Sequence, residues 1–581
     1  MDKGEVATIL EDTANLLELT GGNPFEVRAY QNGARAIAQI EGDIDALVAE
    51  GKLAGVPGIG KTLAARVAEL VTTGHMALHD KLLAQVPPGL IEMLRIPGVG
   101  PKRIRQIHEA LGVDTMADLR SACEDGRVAT LPGFGEKSQD KILKGIIFVS
   151  EHSNRYRFDV AQSEVEAVAA VLRALPQVVR LQVAGSIRRR KEVVKDADMV
   201  ASVHADEDRA PIMRTLLGLP NIASVTGTGD TKTSVVLRSG MALDLRVVLD
   251  DEYPYALHHF TGSKEHNVSL RGTAHAQGIK INEYGIFRGD ERIDCKDEAD
   301  LYAALGMAYV EPELREDRGE IEAARHGNLP QLVTWDDIQG ILHVHSIWSD
   351  GGATIREMAE ATLALGKHYL GMCDHSQAAA YAGGLTPDRV KQQHEEIDRL
   401  NDEFAGRIRI LKGTECDILR DGSLDYDEAT LKTFDFVVAS IHGNFNLPPA
   451  EQTQRLIRAL ENPYTSILGH PTGRILLERT GYEPDMEAVI DRAGALGVAI
   501  ELNGDPHRFD LDWRLIRYAT ERGVSIPITP DAHSPAGLQN VRYGLGVGRK
   551  GWLTASQVLN ALPLEQLTRF FAEQRKRKGA N

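Results

Sequence analysis

The 581-residue sequence predicts a multidomain chain of α+β and α/β class, with a helical N-terminal region, a mixed-sheet centre and a C-terminal α/β barrel. Three observations predict it. Pro-Gly-x-Gly turns, each opening an amphipathic helix, occur three times in the first 150 residues. In the centre, an apolar strand runs into a Gly-Ser turn, a run of cations and an Asp-x-Asp pair that begins a second apolar strand. After residue 335, short apolar strands alternate with helical patterns six or seven times, as in a parallel barrel.

The N-terminal region is helical by spacing. Ile9, Thr13, Leu16, Leu17 and Thr20 recur three or four apart before a Gly21-Gly22-Asn23-Pro24 stop. Further helices are expected over about 25–38 and 44–51. The turns are Val56-Pro57-Gly58-Ile59-Gly60-Lys61, Ile96-Pro97-Gly98-Val99-Gly100-Pro101-Lys102 and Leu131-Pro132-Gly133-Phe134-Gly135-Glu136-Lys137. Their glycines let backbone approach a phosphate closely, and each helix N-terminus offers N–H donors. Lys61, Lys102 and Lys137 add a cation to each. One such turn is a common loop; three at similar intervals point to a polyanion.

Net charge is −17, which alone argues against nucleic acid. Its distribution argues the other way. Residues 51–200 carry 22 Lys and Arg against 17 Asp and Glu, while the first fifty carry 3 against 10. A cationic stretch inside an acidic chain suits a local polyanion contact. Cys123, Cys295, Cys373 and Cys416 are far apart, without C-x-x-C spacing, and read as reduced thiols. No run approaches the roughly 18 apolar residues of a membrane helix, and the acidic N-terminus has no apolar signal core. A cytoplasmic, nucleoid-associated monomer is the expectation.

In the centre, a strand over 178–183 leads into Ala184-Gly185-Ser186-Ile187-Arg188-Arg189-Arg190-Lys191 and on to Asp196-Ala197-Asp198. Backbone N–H groups of the Gly185-Ser186 turn suit phosphate oxygens. Residues two apart on a strand share a face, so Asp196 and Asp198 project together. Asp244, in the apolar strand 242–248, offers a third carboxylate. Three such oxygens on neighbouring strands suit two hard divalent cations and in-line phosphoryl displacement.

This combination resembles the palm of family X DNA polymerases, the group of DNA polymerase beta, within the nucleotidyltransferase fold. The resemblance implies that Asp196, Asp198 and Asp244 are catalytic and bind two Mg²⁺ or Mn²⁺ ions. It implies that Gly185, Ser186 and Arg189 hold the incoming triphosphate. Gly227-Thr228-Gly229-Asp230-Thr231-Lys232 resembles the family's primer-contacting segment, with Lys232 as the cation for a primer phosphate. His259-Phe260-Thr261-Gly262-Ser263 resembles its nucleotide-selecting turn. By that match Phe260 and Gly262 lie against the deoxyribose, Asn267 near the base edge and Arg271 near the templating base. The Pro-Gly-x-Gly turns resemble helix-hairpin-helix motifs, which grip the DNA backbone without reading sequence. DNA contacts are thereby implied for Gly58, Gly60, Lys61, Gly98, Gly100, Lys102, Gly133, Gly135 and Lys137.

Strand ends in the last domain carry metal-type residues, where barrels place their chemistry. In order these are His343, His345, Asp350, Asp374-His375, Glu415, His442, His470 and Asp531-Ala532-His533. Imidazole with carboxylate suits Zn²⁺, Mn²⁺ or Fe²⁺ better than Ca²⁺. The set resembles the PHP (polymerase and histidinol phosphatase) family, whose trinuclear site hydrolyses phosphoesters. Carried over, His343, His345, Glu415 and Asp531 bind one metal; Glu415, His442 and His470 a second; Asp350, His375 and His533 a third.

The chain thus divides into helical DNA-binding regions over 1–80 and 81–150, a palm over 151–250 and a nucleotide-selecting subdomain over 251–315. A linker over 316–335, a PHP-type barrel over 336–570 and a solvated tail over 571–581 complete it. Taken whole, it is similar to bacterial family X polymerases with a C-terminal PHP domain. That resemblance implies gap filling in DNA repair with deoxynucleoside triphosphates on gapped or primed DNA. It also implies a 3′→5′ exonuclease in the barrel, with cleavage at abasic sites and processing of blocked 3′ ends. The other readings are template-independent nucleotide addition, a PHP phosphatase with a DNA-tethering front half, and a DNA-end scaffold. Three residues depart from the family pattern. His259 stands where Tyr is usual, Lys195 where Gly precedes the first Asp, and Arg66 where animal relatives carry the lyase lysine.

Overall fold

The computed structural model describes residues 3–39, 44–56 and 58–580, so Pro57 of the first turn and Asn581 of the tail lie outside the described residues. The chain divides into two compact units, Met1–Ser153 and Asn154–Asn581. Among the described residues no helix is long and apolar enough to cross a membrane. All four cysteines are free and buried.

The first unit is helical. Val6, Leu10, Ala14 and Leu17 of helix Lys3–Leu19 join Val27 and Ile37 of helix Pro24–Gln39 in one core, together with Val67, Ile104, Leu119 and Ile142. Gly58, Gly98 and Gly133 take φ of +89°, +74° and +81°, a region in which a side chain would be strained. Each turn then places Gly60, Gly100 or Gly135 at the N-cap of helices Lys61–Thr73, Pro101–Leu111 and Glu136–His152. None of these caps carries a side-chain hydrogen bond, which leaves first-turn N–H groups for an outside acceptor. Lys61, Lys102 and Lys137 are exposed beside them.

The second unit begins with a five-stranded sheet: β1 (Arg180–Val183), β2 (Asp196–Val203), β3 (Ile222–Thr228), β4 (Lys232–Leu237) and β5 (Ala242–Leu249). The order is β1-β2-β5-β4-β3. The central pair β2 and β5 runs parallel, and the other pairs are antiparallel. Alternation along β2 and β5 sends Ala197, Met199, Leu243 and Leu245 into the core and turns Asp196, Asp198 and Asp244 to the other face. Helices Tyr253–Thr261 and Lys264–Ala276 follow, then a small antiparallel sheet of β6 (Ile279–Asn282), β7 (Gly285–Arg288) and β8 (Glu291–Ile293).

Residues 316–335, expected as a linker, are instead packed structure. Helix Glu320–His326 buries Glu320, Ile321 and Ala324, and Leu332 joins the same core. The segment looks unpatterned because its charges are used internally. Glu320 bonds His266 Nδ1 at 2.6 Å and accepts the N–H groups of Asp317 and Arg318.

Strands β9 (Gly340–Val344), β10 (Tyr369–Met372), β11 (Arg409–Asp417), β12 (Phe436–Ser440), β13 (Ile467–Leu468) and β14 (Ala499–Ile500) form a six-stranded parallel sheet in chain order. β14 continues past Glu501 into β15 (Leu502–Asn503), which pairs in parallel with β16 (Ile528–Thr529). A parallel bridge from Val344 to Ala532 brings the last strand back to the first. Glu415 falls inside β11, opposite Val438. The tail is a correction as well. Helix Leu564–Arg577 continues the fold, Arg575 donates to the Phe434 carbonyl, and Lys578 Nζ donates to the Asn462 carbonyl at 2.7 Å. Arg575 and Lys578 thus cap carbonyls of the barrel, while Lys576 and Arg577 remain exposed.

Candidate active sites

The first site is built where β2 meets β5. Asp198 and Asp244 are register partners on the two parallel strands, and Asp196 stands two residues before Asp198. Burial pushes the Asp198 carboxyl up to about 7, with the charges of Asp196 and Asp244 adding to the rise. A buried carboxyl whose pKa is raised by neighbouring carboxylates marks a site that a cation would stabilise. Gly185, at φ +61°, closes the site: a Cβ there would stand 2.3 Å from Asp198 Oδ2. The expected Gly185-Ser186 turn is a helical turn, Gly185–Arg188, whose Ala184 N–H donates to the Asp198 carbonyl at 2.7 Å.

Two cations of the site are paired in the structure. Lys232 Nζ lies 2.6 Å from Asp244 Oδ2 and balances the carboxylate cluster. Across a sheet, Lys232 and Asp244 are diagonal neighbours, close enough for a long side chain. Arg189 is buried. Its Nε donates to Glu316 Oε1 at 3.0 Å and its Nη1 to the Thr261 carbonyl. Gly262 lies against the same guanidinium, where a Cβ would stand 3.2 Å from Arg189 Nη1. Thr261, Gly262 and Arg189 are thus adjacent.

The neighbouring wall holds the remaining candidates. His259 and Phe260 meet edge to face with centroids 4.9 Å apart, and Arg246 lies over Phe260 at 4.8 Å. Burial lowers the His259 pKa, which favours the neutral ring. Asn267 donates its amide to the His259 carbonyl at 2.8 Å, while its buried Oδ1 has no hydrogen-bond partner. That free acceptor fits a group reading a donor. Arg271 and Lys195 are exposed.

The second site lies at the C-terminal ends of the barrel strands. Glu415 is its hub and is buried. Its Oε1 stands 2.8 Å from His470 Nε2 and 3.2 Å from His442 Nε2; its Oε2 stands 3.0 Å from His375 Nδ1 and 3.5 Å from His343 Nε2. Asp531 Oδ1 lies 3.2 Å from His345 Nε2, and Asp350 lies 3.5 Å from His375 and 3.4 Å from His533. Potential ligand atoms gather within 4.8 Å in three groups: His343, His345 and Glu415; His375, Glu415 and His442; and His345, Asp350, His375 and His533. Each group overlaps one of the three expected sets without matching it: His345, His375 and Glu415 each belong to two groups, and Asp531 and His470 fall in none. Among the described residues such close groups occur only here.

The donor set fits metal ions. Buried ring nitrogens His343 Nε2, His345 Nδ1, His345 Nε2 and His375 Nδ1 have no hydrogen-bond partner, a cost that coordination removes. Burial, with His533 and His375 nearby, lowers the His345 pKa to about 3, leaving the neutral imidazole a metal needs. Outside the ligands stand residues the sequence reading did not select. Glu501, wholly buried, bonds His343 Nδ1, accepts from Thr529 Oγ1 at 2.6 Å and accepts the His470 N–H at 2.6 Å. Asp417 bonds His442 Nδ1 at 2.8 Å, and Asn503 donates to Asp531 Oδ2 at 3.0 Å. Such partners orient ligand rings and fix their tautomers. One signal for Glu501 was legible: a carboxylate between apolar Ile500 and Leu502.

Family models match four stretches: a helix-hairpin-helix domain over 1–76, a SAM-like helix-hairpin-helix tandem over 90–146, a DNA polymerase beta thumb over 256–316 and a PHP domain over 342–505. Over 574 residues the chain is 39% identical to a Bacillus subtilis (strain 168) protein named DNA polymerase/3′-5′ exonuclease PolX, covering 98% of this chain and 99% of that one. This chain belongs to the family X DNA polymerases with a C-terminal PHP domain. Shorter relatives match parts of this family X chain. The Repair DNA polymerase X of African swine fever virus (isolate Tick/Malawi/Lil 20-1/1983) is 29% identical over 142 residues, 22% of this chain and 78% of its own. A protein named probable phosphatase in Thermoanaerobacter sp. (strain X514) is 31% identical over 232 residues, 38% of this chain and 88% of its own. The PHP match ends before Asp531 and His533, yet the fold returns both to the site through the Val344–Ala532 bridge.

Proposed function

We propose that this family X chain is a DNA polymerase that fills short gaps during repair, with a metal-dependent 3′→5′ exonuclease in its barrel. The observation that carries the reading is the pairing of Asp198 with Asp244 across parallel strands, against a glycine that only a bare backbone could occupy. Asp196, Asp198 and Asp244 would hold two ions, Mg²⁺ or Mn²⁺, and the nine barrel ligands up to three of Zn²⁺, Mn²⁺ or Fe²⁺. Bound divalent ions supply charge neutralisation and an activated water for phosphoryl chemistry. Around the palm ions, Ser186 and Arg189 bind the triphosphate, Phe260 and Gly262 crowd the sugar, and Asn267 with Arg271 faces the base pair. Lys232 balances Asp244 and is released toward a primer phosphate when cations take up the carboxylates. In the barrel, Glu415 orients five imidazoles around one carboxylate, and Arg508, with Nε 3.5 Å from Asp531 Oδ2, receives a phosphate oxygen.

Exposed Lys61, Lys102 and Lys137 beside open helix N-termini bind the DNA backbone. Abasic-site cleavage, a place in base excision repair, a monomeric state and a cytoplasmic, nucleoid-associated location complete the proposal. The test is extension of a primer across a one-nucleotide gap with Mg²⁺ or Mn²⁺, beside Asp244→Asn. Wild type extends and the variant does not, while both trim 3′ ends. Equal extension by the variant sinks the palm assignment.

A further inference from the structure

The segment that follows the triphosphate turn is gripped along its length by the barrel. Lys550, at the end of helix Asn540–Lys550, is buried and donates to the Arg189 carbonyl at 3.1 Å and to Glu316 Oε1 at 2.5 Å. The same Glu316 oxygen accepts Arg189 Nε. Gly546 of that helix lies against Arg190, where a Cβ would stand 3.1 Å from Cγ and Cδ. Beyond Lys191, the buried Glu192 faces Arg514 Nη1 at 3.4 Å and Arg474 Nη2 at 3.9 Å. Four residues later the strand begins with Asp196. Barrel side chains therefore hold the stretch that joins the triphosphate arginine to the first catalytic carboxylate.

We infer that Lys550 is a positioning residue of the polymerase site, acting on the incoming triphosphate through Arg189. The inference rests on the polymerase reading above. Glu316 faces Arg189 on one side and would hold its guanidinium as a full counter-charge. Lys550 shares that carboxylate, leaving Arg189 with positive charge to offer a polyphosphate. Its second hydrogen bond fixes the Arg189 backbone, so the guanidinium is presented from a held position. The Trp513 ring, 4.6 Å from Lys550 Nζ, seats the ammonium from below. Without Lys550, Glu316 is left to Arg189 and, at 3.9 Å, Lys191 Nζ, and its tightened hold on Arg189 competes with the nucleotide. That penalty falls on ground-state binding, so it raises KM for the nucleotide more than it lowers kcat.

The experiment uses the full chain as Lys550→Met and as Lys550→Met combined with Glu316→Gln. Gap filling is measured over a range of deoxynucleoside triphosphate concentrations, with 3′-end trimming and thermal melting on the same preparations. Lys550→Met is expected to raise KM about tenfold, with kcat within about threefold and trimming within about twofold of wild type. The double variant, which removes the competing carboxylate, is expected to bring KM back to within about threefold. A KM unchanged in Lys550→Met overturns the inference. So does a joint loss of extension, trimming and melting temperature in both variants, which would make Lys550 a packing residue. A wild-type chain that trims ends but extends no primer would instead bring down the polymerase reading itself.

Discussion

Arg315 Nη1 donates to Glu298 Oε1 at 2.6 Å in an interior where Arg315 is wholly buried and Glu298 nearly so. Arg188, from the helical turn Gly185–Arg188, donates to the same carboxylate at 3.0 Å and to Thr261 Oγ1 at 2.6 Å. Arg188 therefore ties the stretch matched by the DNA polymerase beta thumb to the segment just before β2, beside Thr261. Burial alone would raise the Glu298 pKa, but Arg315 and Arg188 reverse it and bring it from 4.5 down to about 2. A depressed carboxylate contributes stability that is present above its unfolded pKa and lost as pH falls through the folded one. The contribution, about 3 kcal/mol, should fade between about pH 5 and 2. Glu298→Gln leaves the buried Arg315 and the half-buried Arg188 without a counter-charge and should cost about 3–5 kcal/mol. Denaturant melts at pH 7 and pH 3 check this: the gap between wild type and variant should shrink at the lower pH.

Gly58, Gly98 and Gly133 take positive φ just before three helix N-termini, which the proposed function sets against backbone phosphates. Around Gly98 and Gly133 a Cβ would meet nothing within 4 Å, so the cost of a side chain there is backbone strain and blocked approach, not a core clash. Valine at these positions should weaken DNA binding at every sequence by about tenfold in combination, because phosphate contacts carry no base information. The salt dependence should flatten at the same time. Titration of gapped DNA at two ionic strengths measures both. Undiminished affinity in the triple variant would reduce the loops to turns of the fold.

The sequence made the architecture legible wherever local pattern and function coincide. Asp196 and Asp198 share a strand face by parity alone, and a histidine or carboxylate at each barrel strand end stands out against apolar runs. It fails where a residue's partner is distant in the chain. Glu501 serves His343 from 158 positions away, and nothing local marks that bond. Glu320 is one acid in a charged stretch until His266 is folded against it, which is why 316–335 reads as a linker. The sequence suggests Lys232 and Arg189 as cations for phosphate, but their partners in the structure, Asp244 and Glu316, come from pairing and packing. The same reason hides the tail, whose Lys578 finds carbonyls of residues more than a hundred positions earlier.

Arg66 lies on helix Lys61–Thr73 with Nη1 3.4 Å from Glu69 Oε2. A guanidinium stays protonated and does not form an imine, so the first unit should lack Schiff-base lyase chemistry at this position. Borohydride trapping on a 5′-deoxyribose-phosphate end is expected to leave the protein unlabelled. A strong adduct mapping to Lys61 or Lys81 would show that another amine of the unit does the work.

Glu415 presents one oxygen to His470 and His442 and the other to His375, His343 and, at 3.7 Å, His345. A carboxylate so placed belongs to two of the three ligand groups, whereas His533, 40% exposed at the rim, belongs to one. Glu415→Gln keeps the shape and removes the charge that five imidazoles face. Metal content of the purified variant should fall by more than one equivalent, and His533→Ala by about one, because a bridge serves neighbouring ions together. Trimming of 3′ ends should drop about a hundredfold or more in Glu415→Gln, since each ion lost withdraws charge neutralisation from the phosphoryl oxygens. Primer extension should persist, because Asp196, Asp198 and Asp244 lie on a separate sheet. Net extension should even rise, with the opposing trimming gone. If Glu415→Gln keeps its full metal load and still degrades primers, the barrel is not the nuclease, and that activity must be sought among other residues of the chain.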